Sequence, residues 1–362
     1  MFTIPFDKLV DDEVVNIARQ NMAIENPSWK QTIWQLIADW YNPSVTHIEV
    51  HTSGSTGTPK AIKHSKKAMI NSAMATCRYL QLTPGNTALL CLPAGKIGGI
   101  MMIVRSIVNR MQLVCIEPST NPIAALPDDV KIDFAALTPM QLYPVQNSYE
   151  LFRKAEKIEC IILGGSEIPA GLTASIQKMA NRVYATYGMT ETISHIALKR
   201  LNGKAAEQYY SVLDGIEMSV NEQDCLLINA PALEVDKLQT KDVVRLYEGK
   251  QLDWLGRLDN VINTGGLKVY PEQLEETMRG QMLVPFFIAG EPDEKTGQRV
   301  VLVIEKEVIT EKEFKLLTDY LHTIQPHIRP RELLLVPRFV KTANGKLKRR
   351  ETLQAVESRI PL

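Results

Sequence analysis

Charge of neither sign is in excess in this chain: 41 Lys and Arg balance 41 Asp and Glu over 362 residues. The balance leaves no basic footprint for nucleic acid and no acidic tail. Cysteine is sparse. The five, at positions 77, 91, 115, 160 and 225, are odd in number and include no C-x-x-C pair. Such a set suits reduced thiols, most of them expected in strands as small buried hydrophobes. No apolar run approaches the roughly 20 residues of a membrane span. Asp7, Asp11, Asp12 and Glu13 arrive too early for a secretory leader. The expected compartment is therefore the cytoplasm. Internal repeats and low-complexity tracts are lacking too. A chain of this length buries a large core and is expected to split into two domains.

What the chain does have is a dense polar run, Thr52-Ser53-Gly54-Ser55-Thr56-Gly57-Thr58-Pro59-Lys60. Glycine lets backbone N–H groups turn toward an anion with no Cβ in the way. The hydroxyls add donors and Lys60 adds charge. Residues 47–51 read as a strand entering the run, and Lys66 to Tyr79 as a helix after it. The run reads as a phosphate-binding loop, with a polar surface loop as the plainer alternative. It is not of the Walker type, where Lys follows the second Gly directly. Here Thr58 and Pro59 stand between Gly57 and Lys60.

Residues 1–46 look helical, with Trp29, Ile33, Trp34, Leu36, Ile37 and Trp40 as a core-packing stripe. From Thr87 to Tyr187, short apolar runs alternate with helical segments. The runs are 88–92, 113–116, 134–137, 160–163 and 183–186. Apolar runs without alternation suit strands covered on both faces, as in a mostly parallel sheet. Thr138-Pro139 and Pro169 mark helix starts. Ligands of such sheets sit beyond the carboxyl ends of the strands. That singles out 93–99, 164–167 and 187–191. Residues 205–255 read as a smaller β-rich subdomain of shorter strands, with turns at Asp214-Gly215 and Glu248-Gly249. The domain boundary is expected at Gly256, giving a large domain over 1–255 and a compact α+β domain over 256–362. In the latter, a helix over 271–279, strands at 286–289, 300–304 and 333–336, and a Thr310–Glu313 capping box are expected. A basic segment, 341–350, follows.

Five separated motifs, spread from Thr52 to Arg350, resemble those of the adenylate-forming (AMP-binding) acyl-CoA ligases. The polar run matches S-G-[ST]-T-G-x-P-K. Gly164-Gly165-Ser166-Glu167 resembles the segment lining the adenine pocket, and Tyr187-Gly188-Met189-Thr190-Glu191 matches Y-G-x-T-E. Thr240-Lys241-Asp242 resembles T-G-D with Lys in place of Gly. Gly256-Arg257-Leu258-Asp259 resembles G-R-x-D, followed by Gly265-Gly266-Leu267-Lys268. Thr342 to Arg349 resembles the terminal motif whose lysine, here Lys346, reaches the site.

The resemblance implies an α/β fold shortened at its N-terminus: a large domain of mostly parallel sheets flanked by helices, and a small mobile C-terminal domain. It implies ATP, Mg²⁺ and CoA as cofactor and co-substrates. Thr52, Ser53, Gly54, Ser55, Thr56, Gly57 and Lys60 would hold the β- and γ-phosphates. Gly164, Gly165, Ser166, Tyr187 and Gly188 would receive adenine, and Asp242 and Arg257 the ribose. Thr190 would bond the α-phosphate and Glu191 would hold Mg²⁺. Asp259 would be the hinge, and Gly266 and Lys268 would line the pantetheine tunnel. Such chemistry joins a carboxylate to the α-phosphorus, then a thiol to the acyl carbon. It needs positioning and positive potential rather than a general base, which fits the absence of an obvious Ser-His-Asp set.

The acyl pocket departs from the family: Pro93-Ala94-Gly95-Lys96-Ile97-Gly98-Gly99 stands where an aromatic and a His usually follow the Pro. Lys96, with Arg105, is expected to pair with a second carboxylate of the acid, because an unpaired buried charge is costly. Ser194 and His195 are expected to line the same pocket, or His195 to pack in the core. Partners are then a small carboxylic acid, ATP and CoA, with no nucleic acid and no membrane span. A homodimer is left open. So are a free-standing adenylation domain, another acyl- or aryl-CoA ligase, and a truncated relative that binds nucleotide without turnover.

Overall fold

The computed structural model describes residues 1–24, 27–51, 61–248, 250–282, 284–341 and 347–362. The chain forms two compact units. The first comprises Met1–Met218, Ile228–Leu238 and Leu246–Leu252.

In the first unit, strand β1 (Phe2–Pro5) precedes helices α1 (Asp11–Ala23) and α2 (Ser28–Tyr41). Strands β2 (His47–His51) and β3 (Ala61–Ser65) pair antiparallel, Ile48 opposite His64, and lead into α3 (Lys66–Leu80). Strands and helices then alternate: β4 (Thr87–Leu90), α4 (Ile97–Val108), β5 (Gln112–Cys115), β6 (Phe134–Leu137), α5 (Pro139–Leu142) and α6 (Tyr149–Glu156). They are followed by β7 (Cys160–Leu163), α7 (Ala170–Ile176), β8 (Arg182–Gly188), β9 (His195–Arg200) and β10 (Tyr210–Val212). The spatial order is β1-β5-β4-β6-β7-β8-β9-β10. Strands β5, β4, β6, β7 and β8 are mutually parallel. Strands β1 and β9 flank them antiparallel.

The apolar runs earn this arrangement. Every residue of β6 and of β7 is buried, as strands covered on both faces require. Leu89, Leu137, Ile161 and Val183 pack with Leu142, Leu172 and Ile176 from the helices on one face. Thr138 caps α5 in a reciprocal box with Gln141, with Pro139 at the first helical position. Pro169 is the N-cap residue of α7.

Two local expectations change. Residues 2–5 are extended, not helical, because their backbone pairs with the edge of β5, Phe2 opposite Cys115. Strand β3, between the polar run and α3, was not expected; it owes its place to pairing with β2 along its whole length. The tryptophan stripe does pack: Ile33, Trp34, Leu36 and Ile37 are buried, and the Phe2 ring meets Trp34 at 5.3 Å. All five cysteines are free and buried, in α3, just past β4, and in three strands.

The second unit comprises Ser219–Leu227, Gln239–Arg245 and Asp253–Leu362. The chain passes between the units along β11 (Glu217–Val220), β12 (Cys225–Ala230), β13 (Val235–Tyr247) and β14 (Gln251–Arg257). These strands are not uniformly short, since β13 runs 13 residues. Then come β15 (Ile262–Thr264), β16 (Leu267–Val269), α8 (Pro271–Met278), β17 (Phe286–Asp293), β18 (Gly297–Glu305), α9 (Glu311–Leu321), β19 (Glu332–Val336), α10 (Arg349–Gln354) and β20 (Ser358–Pro361).

The sheet order is β16-β15-β18-β19-β20, with β17 also on β18. Alternate residues face opposite ways along a strand. Leu302 and Ile304 accordingly join a cluster with α8 and α9, and Val301 and Val303 one with Phe287 and Phe339. Thr310 and Glu313 form the expected capping box. Helix α10, which begins within the basic segment at Arg349, and strand β20 beyond it were not anticipated.

Candidate active site

Thr52, Ser53, Gly54, Ser55, Thr56, Gly57, Lys60 and Lys346 lie outside the described residues. Their flanks are described. β2 and β3 close on each other at His51 and Ala61. Lys341 bridges to Leu347. Just beyond, Arg349 grips Glu275 with Nη1 and Nη2 at 2.5 and 2.8 Å.

Two of the expected nucleotide segments come together. Gly164-Gly165-Ser166 leaves the end of β7, and Tyr187-Gly188 ends the adjacent parallel strand β8. Both therefore lie at the carboxyl edge, where such sheets take ligands. Gly188 is forced to be glycine: a Cβ there would stand 2.4 Å from the Ser194 carbonyl oxygen and 2.5 Å from the His195 Cα. After Gly188 the chain makes a tight turn over Thr190–Thr192. The buried Thr192 hydroxyl accepts from Met189 N–H at 3.0 Å and lies 2.8 Å from the Ser194 carbonyl, to which it donates. The turn leaves Glu191 exposed and Thr190 half-buried.

Against this turn sits a residue that the sequence reading passed over. His64, on β3, is buried. Its ring donates to the Thr190 carbonyl, and the Glu191 and Glu234 carboxylates lie close enough to favour its charged form. Burial outweighs them and holds its pKa below the usual histidine value. Nε2 has no hydrogen-bond partner among the described residues. The sequence offered only a histidine four residues past the polar run, in a stretch whose strand was itself not expected.

The expected acyl residues divide. Arg105, on α4, is 1 % exposed. Its Nη2 donates to Ser194 Oγ at 2.5 Å, Nη1 lies 4.0 Å from Met102 Sδ, and Nε is unpartnered among the described residues. Burial pushes its pKa down to about 10. His195 lies in the same cluster, Nδ1 3.3 Å from Ser194 Oγ and Nε2 3.0 Å from Thr76 Oγ1. Burial first, and Arg105 second, hold its pKa well below the ordinary value. A cavity of about 110 Å³ adjoins His195, lined by Asn71, Ala75 and Arg78 of α3 with Asp214 and Gly215. Lys96 is exposed at the N-cap of α4, far along the helix from Arg105. The structure thus joins Arg105, Ser194 and His195 and leaves Lys96 apart.

In the second unit, Asp242 is buried on β13 and pairs with Arg257, at the end of β14, at 3.1 Å. Thr240 Oγ1 accepts the Asp242 N–H at 3.0 Å within the extended β13, so the segment makes no turn at Lys241, which stands in place of a glycine. Lys241 Nζ reaches both oxygens of Asp259 at 2.9 and 3.2 Å. Gly256 has φ +146°, and a Cβ there would clash with Glu272 Oε2. Gly265 and Gly266, at φ +56° and +80°, make the two-residue turn between β15 and β16. Lys268 pairs with Asp224 at 3.4 Å.

These elements match known proteins. The family model described as "AMP-binding enzyme" matches residues 13–226. A crystal structure of an acyl-CoA synthetase (AMP-forming)/AMP-acid ligase II-like protein from Dyadobacter fermentans is similar at 33% identity and TM-score 0.66, covering 98% of this chain and 99% of that one. The 2-succinylbenzoate–CoA ligase of Haemophilus influenzae is 29% identical over 74% of this chain and 60% of its own length. O-succinylbenzoate coenzyme A synthetase from Bacillus subtilis, solved with ATP and magnesium, shares the fold at TM-score 0.69 and 23% identity, over 84% of this chain and 69% of that one. The chain belongs to the AMP-binding enzyme family. It is an α/β protein of the adenylate-forming ligase fold, and it spans about three fifths of the length of the Haemophilus relative. No described helix is long and apolar enough to cross a membrane.

Proposed function

We propose that this chain is an AMP-forming acid–thiol ligase that activates o-succinylbenzoate and passes it to CoA, as in menaquinone biosynthesis. The observation that carries the choice of acid is Arg105. A fully buried guanidinium with no described carboxylate partner is costly unless an anion meets it. An acid with two carboxylates supplies one for activation and one for that cation. Ser194 and His195 position the guanidinium; Lys96 is the second candidate cation, at the mouth of the same helix.

In the first half-reaction a carboxylate oxygen attacks the α-phosphorus of ATP and pyrophosphate leaves. Both reactants are anionic, so the site must orient them and screen charge. Thr52, Lys60 and above all Lys346 supply positive potential. Adenine lies against the backbone at Gly165, with Gly164 and Gly188 tucked against Thr186 and Ser194, Ser166 beside it and the Tyr187 ring as a face; Asp242 and Arg257 hold the ribose, and Thr190 bonds the α-phosphate. Glu191 fits a magnesium ion that keeps most of its waters and phosphate oxygens: one exposed hard carboxylate suits that role. No described trio of His, Cys, Asp or Glu forms a closed metal cage.

In the second half-reaction the CoA sulfur attacks the acyl carbon, its proton leaves to solvent, and AMP departs. Lys346 is then unwanted and a thiol passage is needed. A swing of the residues that follow Asp259, about that hinge, removes the one and brings Gly266 and Lys268 to the other. The test is direct. Purified protein with Mg-ATP, CoA and o-succinylbenzoate should yield the thioester, pyrophosphate and AMP. No acid-dependent pyrophosphate release across a panel of acids would overturn the reading.

A further inference from the structure

His64 is a buried polar side chain that the proposed chemistry does not use. Its ring N–H is committed to the Thr190 carbonyl. The other nitrogen, Nε2, is then a lone-pair acceptor, buried and without a described partner. An acceptor cannot face a phosphate oxygen, which is itself an acceptor. It needs an O–H or N–H donor. The ring lies beside Glu191, the carboxylate assigned to magnesium, and Glu234 adds a second negative charge nearby. A hydrated cation fits that setting: it is attracted by the two carboxylates, and its bound waters are strong donors. A histidine whose second nitrogen is pinned by a backbone carbonyl is also the arrangement that fixes an imidazole's orientation at metal sites.

We propose that His64 is a positioning residue for the metal–triphosphate: it holds the Thr190 carbonyl, fixing the turn that presents Glu191, and accepts a hydrogen bond at Nε2 from a water of the magnesium shell. The inference rests on the ligase reading for the identity of the metal–nucleotide. It also couples the two sides of the site. His64 belongs to the β2–β3 pair that flanks residues 52–60, and Thr190 to the turn after β8.

Manganese binding followed by electron paramagnetic resonance in the presence of ATP reads this step without acid, CoA or turnover. H64F removes donor and acceptor together. It should weaken manganese–ATP binding about tenfold, the usual effect of losing such a supporting group, and weaken AMP binding far less, since AMP keeps the α-phosphate assigned to Thr190 but lacks the β- and γ-phosphates. H64Q retains an amide donor and a carbonyl acceptor and should recover most of the affinity. If H64F does not fold, H64A takes its place, and added imidazole should restore manganese binding. Wild-type affinity in H64F, equal weakening of AMP and manganese–ATP, or an H64A that imidazole leaves unrestored would overturn the proposal. Wild-type protein that binds no manganese–ATP would instead sink the ligase reading, and this proposal with it.

Discussion

Arg105 Nη2 lies 2.5 Å from Ser194 Oγ, and that hydroxyl in turn lies 3.3 Å from His195 Nδ1. The guanidinium is thus oriented by neutral groups alone among the described residues, and its charge is left to be met from outside the fold.

Replacing it by methionine separates binding from stability. R105M should raise the Michaelis constant for o-succinylbenzoate about 100-fold, within the roughly 2–5 kcal/mol lost when a buried charge pair is broken. An analogous acid lacking the second carboxylate should be little affected. The ligand-free variant should unfold at higher temperature than wild type, because an uncompensated buried charge has been removed. Steady-state kinetics and calorimetry check the two halves. A variant that is destabilised and keeps its Michaelis constant would show the arginine to be structural.

Lys346 serves only one half-reaction in the proposed cycle. K346A should slow acid-dependent pyrophosphate release by at least about 100-fold, the scale of losing one electrostatic donor to developing charge. Thioester formation from supplied acyl-adenylate should change far less. Equal loss in both assays would refute the division of labour.

Lys241 stands where a glycine is usual and clasps Asp259, the proposed hinge. Both side chains are about half exposed, so K241G should alter stability by less than about 1 kcal/mol. Freed of the clasp, the hinge should turn more readily. The ratio of thioester formation to adenylation should rise about threefold, equivalent to roughly 0.6 kcal/mol. Single-turnover measurement of each half-reaction decides it.

His195 gives the protein a pH dependence of definite sign. Its folded-state pKa lies well below the ordinary 6.5. The unfolded chain therefore takes up a proton that the folded chain refuses as pH falls below about 6.5. Stability at this residue is fully present above that value and declines below it, until the folded pKa is reached. Urea midpoints of wild type and H195N measured from pH 8 to pH 5 should differ in slope, the variant being the flatter.

How far the sequence could be read depended on what set each feature. The parallel strands 134–137 and 160–163 were legible to the residue, because burial on both faces writes a continuous apolar run. The capping pairs at Thr138 and Thr310 were legible because their hydrogen bonds are local. Strand 2–5 was not, since its conformation is set by a partner more than a hundred residues away. Strand 61–65, mixed in polarity, carries no clear period. In the site, glycines 164 and 188 and the Asp242–Arg257 pair were found through motif. That Arg105 and not Lys96 shares a cluster with Ser194 was beyond spacing alone, because it depends on how far α4 is buried. His64 was invisible for a similar reason: one histidine in a strand says nothing until the turn that it touches is placed.

The buried cysteines bear on how such an enzyme would live with its own co-substrate. Burial pushes the thiols of Cys77 and Cys160 up to about 11, so at neutral pH only about one molecule in ten thousand carries the reactive thiolate at either position. A catalyst bathed in CoA is thereby spared mixed disulfides with it. A colorimetric thiol reagent should register CoA disappearing while staying silent toward the folded polypeptide, then count five new sulfhydryls when denaturant is added.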